Sequence, residues 1–230
     1  MDRRQLTIAL TAAPLTLPFP ARAAGLASIT DADATKGLKT ALETGALNAV
    51  KLLGVNDGFL ANPKVHIPLP SALQDASKLL KAMGQKKQVE DLEIALNRAA
   101  EAAVPMAKNL LVNAVRGMSV TDAKNILTGG DTSVTHFFEG KTREPLSGQF
   151  LPVVQQAVSK VGLAAKYDKV AGKAAGMGLL KQEDASINHY VTRKALDGLY
   201  LVIGDEEKKI RQNPVAAGSD ILRKVFGALK

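Results

Sequence analysis

The chain has 230 residues, 46% of them hydrophobic, which suits one well-filled core better than two. It has no Cys, which excludes disulfides, thiolate metal sites, a cysteine nucleophile and a lipid-bearing N-terminal Cys. With 4% aromatic residues and no Trp, an aliphatic core is expected, and the aromatic platforms of carbohydrate or single-stranded nucleic-acid modules are not.

The first two dozen residues read as an address, not as structure. Arg3 and Arg4 form a basic start, Leu6 to Leu17 is a short apolar stretch, and Ala21-Arg22-Ala23 fits the small-x-small cleavage pattern. Pro14, Pro18 and Pro20 interrupt the stretch, which is too short to span a bilayer. A cleavable signal peptide over residues 1–23 and a mature domain over 24–230 are therefore expected, with delivery to the periplasm. The paired arginines leave both the twin-arginine and the general secretory route open. Losing Arg3, Arg4, Arg22 and Asp2 takes a net +2 from the formal +8 and leaves a basic mature chain at +6. Export argues against nucleic acid as a partner and leaves two readings of the charge: contact with anionic lipid or an envelope polymer, or, with more weight, solubility alone.

The rest reads helix after helix. Thr30 with Asp33 resembles a capping box and opens a helix to about Leu53, with Leu38, Leu42, Ala46, Ala49, Val50 and Leu53 at helical spacing. Gly54 to Pro70 is an irregular link carrying Asp57-Gly58, Asn62-Pro63 and Pro68-Leu69-Pro70, pinned by Phe59, Leu60, Val65 and Ile67. Ser71 to Met83 is a helix closed by Gly84. Another runs from about Lys87 to Val104 on Val89, Leu92, Leu96, Ala99 and Ala103, and Pro105 begins a new helix or kinks this one. Ser119 with Asp122 repeats the capping signature. Gly129-Gly130 breaks the chain, Asp131 restarts it as an N-cap towards Phe138, and separate helices are expected at Pro145–Val161, Leu163–Ala175 and Ile221–Leu229.

The centre of this scheme is the stretch at about residues 186–203. From Ala195 to Ile203 its only charge is Asp197, and a helix apolar on every side belongs inside a domain. After Gly204 a separate short helix is expected, with Asp205 as N-cap, Glu206 and Glu207 in its first turn, and Asn213-Pro214 as its stop. The expected fold is all-α, a single multi-helix domain around a nearly all-apolar central helix.

Several short stretches carry a resemblance. They are Gly58-Phe59-Leu60 with Asn62-Pro63, Ile67-Pro68-Leu69-Pro70, Asn97-Arg98-Ala99-Ala100-Glu101, Gly129-Gly130-Asp131-Thr132, Lys194 to Leu199, and Ile210 to Pro214. Together they resemble an uncharacterised bacterial family of signal-peptide-bearing helical proteins, catalogued as a domain of unknown function. The resemblance spans nearly the whole mature chain. It implies export and a helical fold, and no reaction.

Chemical motifs are sparse. His66, His136 and His189 are far apart in sequence, and neither His-Glu-x-x-His nor Glu-x-x-His occurs, so no metal site and no built-in cofactor are expected. Asp31, Asp33 and Thr35 begin like a calcium loop, but Lys36 and Leu42 stand where its glycine and bidentate ligand belong. No Gly-x-Ser-x-Gly or Ser-x-x-Lys marks a nucleophile. Thr128 to Thr132 could offer backbone N–H groups to an anion, yet Asp131 would occupy that positive end.

Asn97, Arg98 and Glu101 form the more informative group. Ile94 falls opposite the main apolar stripe and beside them, so that side of the helix is expected to be covered, with Glu101 enclosed and paired to Arg98. Asp197 is the other polar residue expected to be enclosed. These readings define a candidate polar cluster of Asn97, Arg98, Glu101, Asp131 and Asp197, with no catalytic residue assigned. The expected function is a non-catalytic envelope protein that binds a partner through a helical groove or basic face. The alternative is a hydrolase or other enzyme with a dispersed carboxylate site at Glu101, Asp131 and Asp197.

Overall fold

The computed structural model describes residues 31–177 and 186–213. The signal peptide expected at 1–23, the expected capping residue Thr30 and the helix expected at Ile221–Leu229 lie outside them. Within the described residues the elements are α1 (Asp31–Leu53), α2 (Ser71–Leu80), α3 (Lys86–Ala103), α4 (Ala107–Arg116), α5 (Val120–Thr128), α6 (Ser133–Val158), α7 (Gly162–Gly176) and α8 (Ile187–Gln212), without a strand. A kinked segment, Lys81–Gln85, joins α2 to α3, and a 3-10 turn, Val104–Met106, joins α3 to α4 at Pro105. Gly84 takes φ 81°, the left-handed conformation expected of a glycine that ends a helix.

α8 is the central post: α1, α3, α6 and α7 all pack against it. It is nearly enclosed, with Ile187, Val191, Ala195, Leu196, Leu199, Tyr200, Val202 and Ile203 buried and Leu201 the large apolar residue left outside. Each such aliphatic side chain withdrawn from water contributes roughly 1.5–3 kcal/mol before ordering costs are counted. The core is not purely aliphatic as expected. Phe59, Phe138, Phe150 and Tyr200 are among its largest fully buried side chains, so the few aromatics are concentrated at its centre.

Two expected breaks are absent. α8 runs on through Gly204 for 26 residues, so Glu206 and Glu207 lie inside a helix and not in a first turn. Gly204 serves close packing: a Cβ there would meet Thr135 Oγ1 of α6 at 2.9 Å. α6 likewise runs through Pro145 and Pro152. Both prolines are on its exposed side, and the carbonyls they leave unbonded, at Lys141 and Gly148, are at exposed positions where water can bond them. The buried face continues unbroken as Val134, Phe138, Thr142, Leu146, Phe150, Val154 and Val158, and this packing outweighs the local proline signal.

The link between α1 and α2 is folded back against the core by Phe59, Val65, Ile67 and Leu69, all buried, while Leu60 is half-buried. Gly198 of α8 makes room for it, since a Cβ there would lie 2.8 Å from the Phe59 ring and 3.2 Å from Val65.

Candidate functional site

Three gatherings of polar groups among the described residues differ in how completely the fold uses them. Under the Gly54–Pro70 link, α3 presents Glu93, Asn97 and Glu101 at four-residue spacing, hence on one face. Glu101 Oε1 accepts the N–H groups of Phe59 and Leu60, each at 3.0 Å, and its Oε2 accepts from Arg98 Nη1 at 2.7 Å. Arg98 Nη2 also donates to Asp57 at 2.8 Å, and these bonds hold the Arg98 pKa above its usual value. The Asn97 side chain accepts from Ile67 N at 2.8 Å and donates to Ile67 O at 2.9 Å. His66 sits between Leu60 O and Glu93 Oε1, at 3.0 and 2.9 Å. This face laces the link to α3, and both Glu101 oxygens are occupied.

Glu101 is thus buried and paired with Arg98 as expected, but for a different reason. Ile94 is 43% exposed, and it is the folded-back link that covers Glu101.

The second gathering ties three helix ends together. Glu207 of α8 is buried, and its Oε1 accepts from Arg211 Nε at 2.9 Å, Ser133 Oγ at 3.3 Å and Val134 N at 3.4 Å. Arg211 Nη2 reaches Ile126 O and Ser133 Oγ at 2.9 and 2.8 Å. Glu207 therefore supplies the negative charge at the start of α6, the place expected for Asp131. Asp131 is instead exposed in a turn, and Thr132 precedes the helix. Burial pushes the Glu207 carboxyl up from its ordinary value, against the pull of Arg211.

The third gathering is a groove of about 510 Å³ between α6 and α8. Glu139, Gly140, Arg143, Glu144 and Ser147 line it from α6, and His189, Thr192, Arg193 and Leu196 from α8. Arg143 lies over the Tyr200 ring with its carbon 5.0 Å from the centroid, and Arg193 lies over Tyr190 at 5.6 Å. Arg143 Nη2 donates to Glu139 at 2.9 Å and Asp197 at 3.0 Å. Burial opposes the charge on Arg143, but those two bonds outweigh it and its pKa is raised. Beneath it, Thr142 Oγ1 and Tyr200 OH are 2.8 Å apart, and Thr142 donates to Phe138 O at 2.6 Å, so the phenol is the donor between them. Burial pushes that phenol up to about 12. Asp197 is half-exposed at the edge of this groove and not enclosed as expected.

Of the five candidate residues, Asn97, Arg98 and Glu101 meet at the link, Asp197 joins the groove, and Asp131 joins neither. Among the described residues no group of three or more His, Cys, Asp or Glu is placed to hold a metal ion, and no helix is long and apolar enough to cross a membrane.

Residues 28–227 match the model of a family described as protein of unknown function, DUF4197. The chain belongs to that family. No curated protein and no solved structure matches the chain. Membership agrees with the resemblance carried by the link, the Asn97–Glu101 segment and the α8 core, and it brings no reaction with it.

The groove residues Glu139, Arg143, Glu144, Ser147, Thr192 and Arg193 are absent from the candidates drawn from sequence. A Pro-induced break assumed at Pro145 leaves Glu139 to Glu144 as an unassigned joint, when they are the middle of a helix face. The signal that could have found them is Glu139 with Arg143, a four-residue pair next to Gly140 on the same face.

Proposed function

We propose that the protein is an exported, non-catalytic protein of the bacterial envelope that holds a small ligand in the groove between α6 and α8. One observation carries this reading. The Thr192 side chain lines the groove and is 2% exposed, yet its hydroxyl has no hydrogen-bond partner among the described residues. A buried hydroxyl left unbonded costs about 1–3 kcal/mol, a penalty that a ligand in the groove would relieve. Ser147, half-buried across the groove, also has a hydroxyl that no described residue bonds. The start of the chain supports export, and its basic balance supports a place beside anionic lipid or envelope polymers, where the groove would meet its ligand. The carboxylate-enzyme reading has less support, because Glu101, Asp131 and Asp197 have no partner in common and both Glu101 oxygens accept hydrogen bonds from the link or from Arg98.

Gly140→Phe tests the reading. A Cβ at Gly140 meets nothing within 4 Å, and replacing a glycine inside a helix favours the helix, so the variant fills the groove without straining the fold. Native mass spectrometry of the purified protein should show an adduct on the wild type that Gly140→Phe lacks. Equal adducts on both, or none on either, would remove the groove as the binding site.

A further inference from the structure

The charges lining the groove are not of one sign. Arg143 and Arg193 face the same space as Glu139 and Glu144, with Asp197 against Arg143 at the edge and neutral hydroxyls between them. A net anion or a net cation gains little from such a lining, because each attraction is matched by a repulsion at similar range. A molecule carrying both charges gains from both.

The hydrogen-bond inventory sharpens this. Both bonds made by Arg143 leave from Nη2, so the Nε and Nη1 hydrogens have no bond to any described residue. Its orientation is fixed meanwhile by the Tyr200 ring beneath and by Glu139 and Asp197 beside it. On the acidic side Glu139 is committed to Arg143, whereas Glu144 is exposed and makes no ion pair or hydrogen bond with a described residue. Gly140, one turn before Glu144, leaves open space where a side chain would stand. The Thr192 hydroxyl completes the set with a buried donor.

We infer that the ligand is a small zwitterion, its oxyanion bound by Arg143, Arg193 and the Thr192 hydroxyl and its ammonium by Glu144. The inference rests on the groove being the binding site and adds the class of ligand. Two sources share this chemistry: a free compound, and the amine-bearing phosphate headgroup of a lipid.

Calorimetric titration of the full chain tests it with phosphoethanolamine, inorganic phosphate and ethanolamine as separate probes. Phosphoethanolamine should bind roughly ten-fold more tightly than either half, the worth of one charge-assisted hydrogen bond. Glu144→Gln should erase that advantage without weakening phosphate binding, since it removes one repulsion. Binding to vesicles of phosphatidylethanolamine, but not of phosphatidylcholine with its N–H-free nitrogen, would assign the headgroup. Binding of the free probe alone would assign the free compound, and either result upholds the zwitterion. Equal affinity for phosphate and phosphoethanolamine, no effect of Glu144→Gln, or no binding of any probe overturns it. The two readings can fail separately. If Gly140→Phe abolishes equal binding of both phosphates, the groove stands and the zwitterion does not, whereas binding untouched by Gly140→Phe removes the groove itself.

Discussion

The link over α3 and the groove between α6 and α8 are both polar, and they use their polar atoms in opposite ways. Under the link, Glu101 and Asn97 are buried and every oxygen they carry is bonded to backbone or to Arg98. In the groove, Thr192 is as well buried and bonds to no described residue, and Glu144 stands open. Saturated buried polar groups hold a fold together, while unsaturated ones cost stability and are retained where something else will bond them. By that criterion the Asn97–Glu101 cluster is a fastening and the groove is the place we propose for a ligand.

The largest expected effect lies on the fastening side. Glu101→Ala leaves the N–H groups of Phe59 and Leu60 without an acceptor, and urea unfolding should show a loss of about 3 kcal/mol. Adding Arg98→Met should restore little of it, because the stranded groups are backbone and not the guanidinium. A double variant as stable as the wild type would mean that the ion pair, and not the lacing of the link, is what Glu101 provides.

Glu207 has one side of each kind: its Oε1 is fully used, while Oε2 is buried without a hydrogen-bond partner. Burial raises its folded pKa above the ordinary 4.5, so the folded state holds its proton to higher pH than the unfolded chain does. Its contribution to stability is then fully present below about 4.5 and is lost as pH rises through the folded value. Unfolding midpoints measured across that window should fall with rising pH in the wild type, and the slope should flatten in Glu207→Gln. A slope unchanged by the substitution would show that Arg211 offsets the burial completely.

Much of this could be read from the residues, and the misses share a cause. The stripes of α1 and α3 follow helical spacing, and the Ser119–Asp122 capping box forms as its sequence signature predicts, with Asp122 N bonded to Ser119 Oγ at 3.0 Å. Those bonds from the Ser119 backbone and side chain also hold the Asp122 carboxyl below its ordinary range. Gly204 and Pro145 mislead because local punctuation is weaker than a continuous buried face. That error hides the groove, since the face from Glu139 to Ser147 exists only if α6 passes through Pro145. Enclosure of Glu101 is anticipated from the wrong neighbour, because no local pattern says where a seventeen-residue link will fold back. Which polar atoms remain unbonded is a property of the tertiary packing and has no signature in sequence.

The smallest change tests the central claim most directly. Thr192→Val replaces the unbonded hydroxyl with a methyl group of nearly the same shape, in the second turn of α8. If the fold leaves that hydroxyl to a ligand, ligand-free protein should lose nothing in urea unfolding and gain up to about 1 kcal/mol. A loss of more than about 1 kcal/mol would mean that the hydroxyl already has a partner in the folded chain, and the distinction between fastening and site would not hold.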